Sequence, residues 1–249
     1  MDIFLWGVIP YVALVVLIGG TIWRYKYDKF GWTTRSSELY ESKLLRIGSP
    51  LFHYGILAVI AGHVIGLVIP ESWTNAIGID EHWYHIFAAY GGIVAAIATL
   101  IGVGILIYRR RTTGPVFAAT TNNDKLMYLV LVSALVAGTY ITVIGMIDPD
   151  GPGVNYRTTV APWFRSIFIL QPDIDAMAAA PLRFHVHVLI GLALFCLVPF
   201  TRLVHILTAP LHYFFRPYIV YRSRDVQKAP GASPQSRAWA PVGTEDRDK

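Results

Sequence analysis

Four histidines stand where apolar side chains are expected. His53 and His63 lie in LFHYGILAVIAGHVIGLVIP, residues 51–70, a stretch without a charged side chain. His187 and His205 lie in RFHVHVLIGLALFCLVPFTRLVHIL, residues 183–207. An imidazole can ligate a metal, exchange a proton near neutral pH or hydrogen-bond a neighbouring helix. Placing polar groups inside a membrane-length apolar segment is costly, so each is a functional candidate.

Their spacing narrows the chemistry. On a continuous α-helix, His187 and His205 are about five turns and about 27 Å apart on one stripe, whereas His185 lies about 200° around from it. His187 is therefore the better partner in that segment. His53 and His63 are about 15 Å apart along a helix axis and about 80° apart around it. Tilt and a bulky group between the helices must absorb that mismatch.

The elements that position these residues follow from hydropathy. The chain of 249 residues is 54% hydrophobic and 15% charged, against about 25% charged in soluble domains. Its mean hydropathy is +0.48. A spanning helix needs about 20 mostly apolar residues, and five stretches qualify: about 3–23, 50–70, 86–108, 126–147 and 184–208. The first lacks the basic lead and small-residue cleavage site of a signal peptide. The expected fold is an all-α integral membrane bundle of five transmembrane helices, over residues 1–222. Residues 223–249, polar and rich in Pro, Gly and Ser, are expected to be a disordered tail. DPDGPG at 148–153 is a turn signal, and APWFRSIFIL at 161–170, with Trp163, Phe164, Ile167 and Phe168, reads as a short interfacial helix.

Lysine and arginine set the direction. Basic residues crowd the 24–49 and 109–125 loops and the chain after 208, while the 71–85 loop has none and the long 148–183 loop is sparse. The N-terminus is expected outside and the C-terminus in the cytoplasm. The net charge of +5 thus reports topology. It gives no basic face with interleaved aromatics on a soluble domain, so no nucleic-acid partner is expected. Cys196 is the single cysteine, which excludes an internal disulfide, a cysteine-held iron–sulfur cluster and covalent haem attachment through C-x-x-C-H.

Opposite directions for the second and fifth spans give two couples: His53 with His205 at the inner depth, His63 with His187 at the outer. Two bis-histidine sites stacked across a membrane form the ligation pattern of a dihaem cytochrome b. Gly55, Gly62, Gly66 and Gly191 flank these histidines and would admit a flat macrocycle, and Arg202 is placed to pair with a propionate of the inner haem. Gly62 and Gly66 also form the Gly-x-x-x-Gly pattern of plain helix contact. Histidines at two depths cannot make one tetrahedral zinc site. A haem-free proton channel or transporter would use the same histidines for conduction.

SPLFHYGILAVIAGHVIG, RRRTTGPVFAATTNNDKLM, FHVHVLIG followed by PFTRLVHI, and YFFRPYIVYRSR resemble the gamma subunits of respiratory nitrate reductases over roughly residues 5–224. The resemblance implies two b haems, with His53 and His205 on the cytoplasmic-side haem and His63 and His187 on the outer one. It implies oxidation of a quinol, menaquinol or ubiquinol, near the outer haem. It also implies electron transfer to an iron–sulfur beta subunit and a molybdenum-cofactor alpha subunit that reduces nitrate, all at the cell membrane. Related cytochromes serve sulfur- or heterodisulfide-type oxidoreductases. The family pattern carries a lysine at the quinol site; aligned on Pro70 and Gly91–Gly92, this chain has Trp83 there. With His82 and His85 beside it, and His63 inside the span, Trp83 completes the set of candidate quinol-site residues.

Overall fold

The structure, a computed structural model, describes residues 1–33, 35–148 and 155–208. The expected tail at 223–249, residues 209–222 and the DPDGPG turn after Asp148 lie outside the described residues. Among the described residues all regular structure is helical. A π-helical turn, Ile3–Val8, leads into α1, Ile9–Tyr27; Pro10, which has no N–H to donate, lies just beyond the switch. There follow α2 (Lys43–Val68), a short α3 (Glu71–Ala76), α4 (Glu81–Thr112), a short α5 (Gly114–Ala118) and α6 (Asn122–Ile147). Beyond residues 149–154 come α7 (Val160–Phe168), α8 (Ile174–Ala178) and α9 (Leu182–Leu197). Two 3₁₀ segments, Val198–Phe200 and Arg202–Thr208, complete the described chain.

Among the described residues, five helices are long and apolar enough to cross a membrane: Ile3–Tyr27, Lys43–Val68, Glu81–Thr112, Asn122–Ile147 and Leu182–Phe200. Three of the spans differ most from the hydropathy reading, for physical reasons. The second span starts seven residues early because Pro50 is tolerated inside α2. The third extends at both ends: Asp80 caps its N-terminus by accepting the Trp83 N–H at 2.9 Å, and Arg109, Arg110 and Arg111 suit the negative end of its dipole. The fifth stops early. Pro199 cannot donate and Thr201 is extended at φ −118°, ψ −177°, so the helix breaks before His205.

The helices pack in the order α2, α4, α6, α9, α1, with α2 and α4 in the most extensive contact. Glycines make that contact close. A Cβ at Gly55 would lie 2.8 Å from the Thr99 backbone nitrogen, and one at Gly48 would lie 2.8 Å from Ile105 Cγ2. A Cβ at Gly102 would clash with the backbone nitrogen of Phe52. This is small-residue packing, where dispersion replaces the hydrophobic effect inside lipid. By contrast, α2 and α9 are not among the extensively packed pairs. They face each other across a cleft.

One end of the bundle carries the buried arginines Arg24, Arg109, Arg110 and Arg202 and is called the basic end. There Arg109 fastens the first loop, through Ser37 Oγ and the Ser37 carbonyl at 2.8 Å each and through Glu41 at 2.5 Å. At the far end Trp6, Val160, Trp163, Ile167, Met177 and Phe184 form a core. The expected interfacial helix is present as α7, but Trp163 and Ile167 are buried in that core, with Trp163 donating to the Trp6 carbonyl at 2.9 Å. Only Phe168 of its aromatics is largely exposed. Trp163 finds a backbone partner inside, so it has no need of the headgroup region.

Gly102→Ala forces α2 and α4 apart and is expected to destabilise by about 1–3 kcal/mol. Gly104→Ala, on the same helix with nothing within 4 Å of its added carbon, is expected to be neutral. Thermal midpoints of the two variants in detergent check the difference.

Candidate functional site

The cleft between α2 and the fifth span is bridged by imidazoles. His53 and His205 have ring centres 6.1 Å apart and planes at 62°. His63 and His187 have centres 6.0 Å apart and planes at 36°. His53 and His205 lie toward the basic end, His63 and His187 toward the far end. An imidazole nitrogen binds a metal at about 2 Å, and the ring centre lies roughly 1 Å farther back, so two rings on opposite sides of one ion stand about 6 Å apart. Both pairs have that separation. His53 and His63 are exposed within a helix otherwise bordered by apolar groups, which calls for something to cover them.

The hydrogen bonds select the ligating atom. Nδ1–H of His53 donates to the Ser49 carbonyl at 2.7 Å, and that of His63 to the Val59 carbonyl at 2.8 Å, each one turn back on α2. Nδ1 of His205 donates to the Arg202 carbonyl. With Nδ1 carrying the proton, Nε2 keeps its lone pair, the arrangement seen in metal-binding histidines. His187 differs. Its Nδ1 is buried with no close hydrogen bond, only a weak approach of the ring to the Ala134 carbonyl of α6, and its ring lies over Gly138 of α6, where a Cβ would stand 3.0 Å from Cε1. The three locked tautomers and the ring separations fit a bis-histidine group at each depth.

His205 reaches its partner because the helix breaks. A continuous α-helix would hold His187 and His205 on one stripe, while His53 and His63 are about 80° apart around α2. The break at Pro199–Thr201 relieves that mismatch. It also frees carbonyls, and each finds a donor: Arg24 NH1 to Pro199 at 2.7 Å, Asn123 Nδ2 to Phe200 at 2.6 Å, and Thr201 Oγ1 to Leu197 at 2.9 Å. Arg202, expected to face a propionate, is bound on two sides by Asp124. Its Nε donates to Oδ1 at 2.9 Å and its NH2 to Oδ2 at 2.8 Å. Asp124 also accepts the Thr121 N–H at 3.0 Å in a capping box at the start of α6. Thus α6 holds Arg202, and Arg202 holds His205.

The other expected residues divide. A Cβ at Gly62 or Gly191 would meet nothing within 4 Å, so these border open space. Gly55 and Gly66 are contact glycines instead, against Thr99 and Tyr156. His185 donates to the Met177 carbonyl at 2.8 Å and packs on Trp6, so its role is structural. His82 and Trp83 lie on the first turn of α4 and His85 just past it; His82 and Trp83 are exposed and in ring contact with each other. Among the described residues no ring contact or hydrogen bond joins any of the three to His63. The sequence reading passed over Asp124 and Gly138. Asp124 carried a signal, the Thr121-x-x-Asp124 capping pattern; a lone helical glycine such as Gly138 carries none.

Asp124→Asn removes the charge that balances Arg202 in a buried site. Breaking such a pair costs about 3–5 kcal/mol, so the thermal midpoint should fall clearly, and Asp124→Glu should recover part of it. An unchanged Asp124→Asn midpoint would show that the Asp124–Arg202 pair does not hold the break in place.

The comparisons with known proteins agree with one another. The family model described as nitrate reductase gamma subunit matches residues 2–224. The nitrate reductase-like protein NarX of Mycobacterium tuberculosis is 60% identical over 234 residues, which cover 94% of this chain but only 35% of that protein. The chain therefore spans about a third of that relative. The nitrate reductase gamma chain of Bacillus subtilis is 46% identical over 220 residues, 88% of this chain and 97% of its own length. The respiratory nitrate reductase 2 gamma chain of Escherichia coli is 31% identical over 225 residues, 90% of this chain and 98% of its own. Matched across nearly the whole of two gamma chains, this chain belongs to the nitrate reductase gamma subunit family.

Proposed function

We propose that this chain is the membrane cytochrome b of a respiratory nitrate reductase, oxidising quinol near the outer face and passing electrons inward. The observation that carries the reading is the pair of facing imidazole couples, 6.1 and 6.0 Å between ring centres, at two depths of one bundle. His53 and His205 are assigned to an inner haem b, His63 and His187 to an outer one. A bound haem supplies a one-electron carrier whose potential follows its ligands, burial and nearby hydrogen bonds. The basic end is assigned to the cytoplasm and the N-terminus to the outside, on the lysine and arginine distribution. The cytoplasmic partners are the iron–sulfur beta and molybdenum-cofactor alpha subunits, held at the cell membrane by residues 1–222.

The chain's own residues have distinct tasks. Ser49, Val59 and Arg202 hold three imidazoles in the ligating tautomer through their carbonyls. Gly138 leaves room for the fourth ring. Asp124 and Arg202 position His205. Quinol, menaquinol or ubiquinol, approaches the far-end pair, with His82, Trp83 and His85 at the adjoining rim. Carrying one electron inward against the membrane field takes roughly 2.3 kcal/mol per 100 mV, so quinol oxidation here stores energy as membrane potential.

Membranes containing the complex should show two b haems per chain in reduced-minus-oxidised spectra. His63→Ala or His187→Ala should remove one haem and quinol oxidation; His53→Ala or His205→Ala should remove the other and block electron exit. Loss of the same haem from the His53 and His63 variants would break the pairing. A purified wild-type complex without b-haem bands would leave a haem-free channel or transporter as the reading. Co-purification with a molybdenum-containing subunit tests the partner assignment.

A further inference from the structure

The far end holds a group of polar side chains, partly packed against the bundle, whose hydroxyls and charges the imidazole pairs do not use. Tyr156 lies on Gly66, one turn past His63, so closely that a Cβ there would meet the hydroxyl at 2.5 Å. That hydroxyl is 3.0 Å from the hydroxyl of Tyr84, which is buried on the first turn of α4. The Arg157 guanidinium stacks over the Tyr84 ring at 3.9 Å. It is only 4% exposed, binds Glu81 at 2.9 Å and Thr74 Oγ1 at 3.0 Å, and keeps its Nε buried without a hydrogen-bond partner. Glu81, one turn before Tyr84 on the same helix, has a side chain 34% exposed.

We propose that Tyr156 and Tyr84 form a two-hydroxyl relay carrying protons released by quinol oxidation from the outer histidine pair to Glu81 at the rim. The proposal rests on the quinol oxidation assigned above. Oxidation of one quinol to quinone releases two electrons and two protons. The electrons go one at a time to the carriers of the assigned function. Each proton needs a way past apolar helices. In one transfer the quinol O–H gives its proton to the Tyr156 oxygen as Tyr156 gives its own to Tyr84 and Tyr84 gives its own, through one bridging water, to the Glu81 carboxylate, which Arg157 holds beside the Tyr84 ring. One proton has then moved and both phenols are neutral again. Glu81 releases the proton to outside water, the hydroxyls turn back, and the second proton follows.

Burial and the Tyr84 hydroxyl hold the Tyr156 phenol well above its usual range. It therefore does not rest as a phenolate, and the relay runs as a concerted shift. Arg157 serves it twice: as the fixed charge beside the Glu81 carboxylate and as a cation over the face of the Tyr84 ring. The exposed His82 on the same turn has its ring against Trp83, while His85 lies within electrostatic reach of Glu81.

The test uses the intact complex with menadiol as donor, and reduced viologen as a donor that delivers electrons without protons. Tyr156→Phe and Tyr84→Phe keep the rings and remove the hydroxyls; Glu81→Gln removes the acceptor. The relay predicts a fall in menadiol kcat of about tenfold or more, KM within about twofold of wild type, a larger solvent deuterium effect, and unchanged viologen rates and haem spectra. Wild-type kcat in both tyrosine variants overturns it. So does a raised KM with kcat intact, which would make the hydroxyls quinol ligands. Equal losses with menadiol and viologen overturn it as well, leaving the tyrosines as a tie between loop and helix. A wild-type complex that fails to oxidise menadiol while its viologen rate stands removes the quinol assignment itself, and is thereby distinguished from failure of the relay.

Discussion

A backbone carbonyl inside a membrane must find a donor, and this bundle is organised around one place where the helix stops supplying them. Pro199 ends the hydrogen-bond ladder of the fifth span, and the freed carbonyls of Leu197, Pro199 and Phe200 are met by Thr201, Arg24 and Asn123. Irregular backbone at membrane depth is tolerated only where protein satisfies it. Here the satisfaction comes from three elements at once, α1, α6 and the break itself. The same meeting point holds the Asp124–Arg202 pair. The break thus gathers the basic end and sets the position of His205.

The two faces of α2 show a second division. Toward α4 it is lined by Gly48 and Gly55 and packs backbone to backbone. Toward the fifth span it carries His53 and His63 and packs loosely. A helix with close contact on one side and open space on the other is a wall. The glycines hold the wall in place, the histidines face the cleft, and the cleft has the width that two opposed imidazoles and one metal require.

Much of this was legible in the sequence because hydropathy and charge act over whole segments. The five spans and the pairing of His53 with His205 and His63 with His187 follow from twenty-residue averages and from lysine and arginine counts between them. The break was harder to read. PFTRLVHI is apolar enough to continue a helix, and whether Pro199 ends a span or merely kinks it depends on donors far away in sequence, Arg24 and Asn123. The roles of Gly55 and Gly66 turn on which side of α2 meets a neighbour, which periodicity alone does not say. Tyr84 and Tyr156 were missed because their pairing joins positions 72 apart, and a tyrosine beside a span ordinarily marks only the lipid boundary. Trp163 shows the same limit: the sequence pattern marks a short aromatic helix near a boundary, and only tertiary contact reveals that this ring has a buried partner.

The jointed fifth span also has a mechanical meaning. His53 and His63 ride on one continuous helix, while His187 and His205 ride on two members with a break between them. Asp124 and Arg202 hold the short member, which carries His205, and Gly138 backs His187 on the longer one. The two couples, with ring planes at 62° and 36°, can therefore be adjusted separately by substitution, although they share a wall and a cleft.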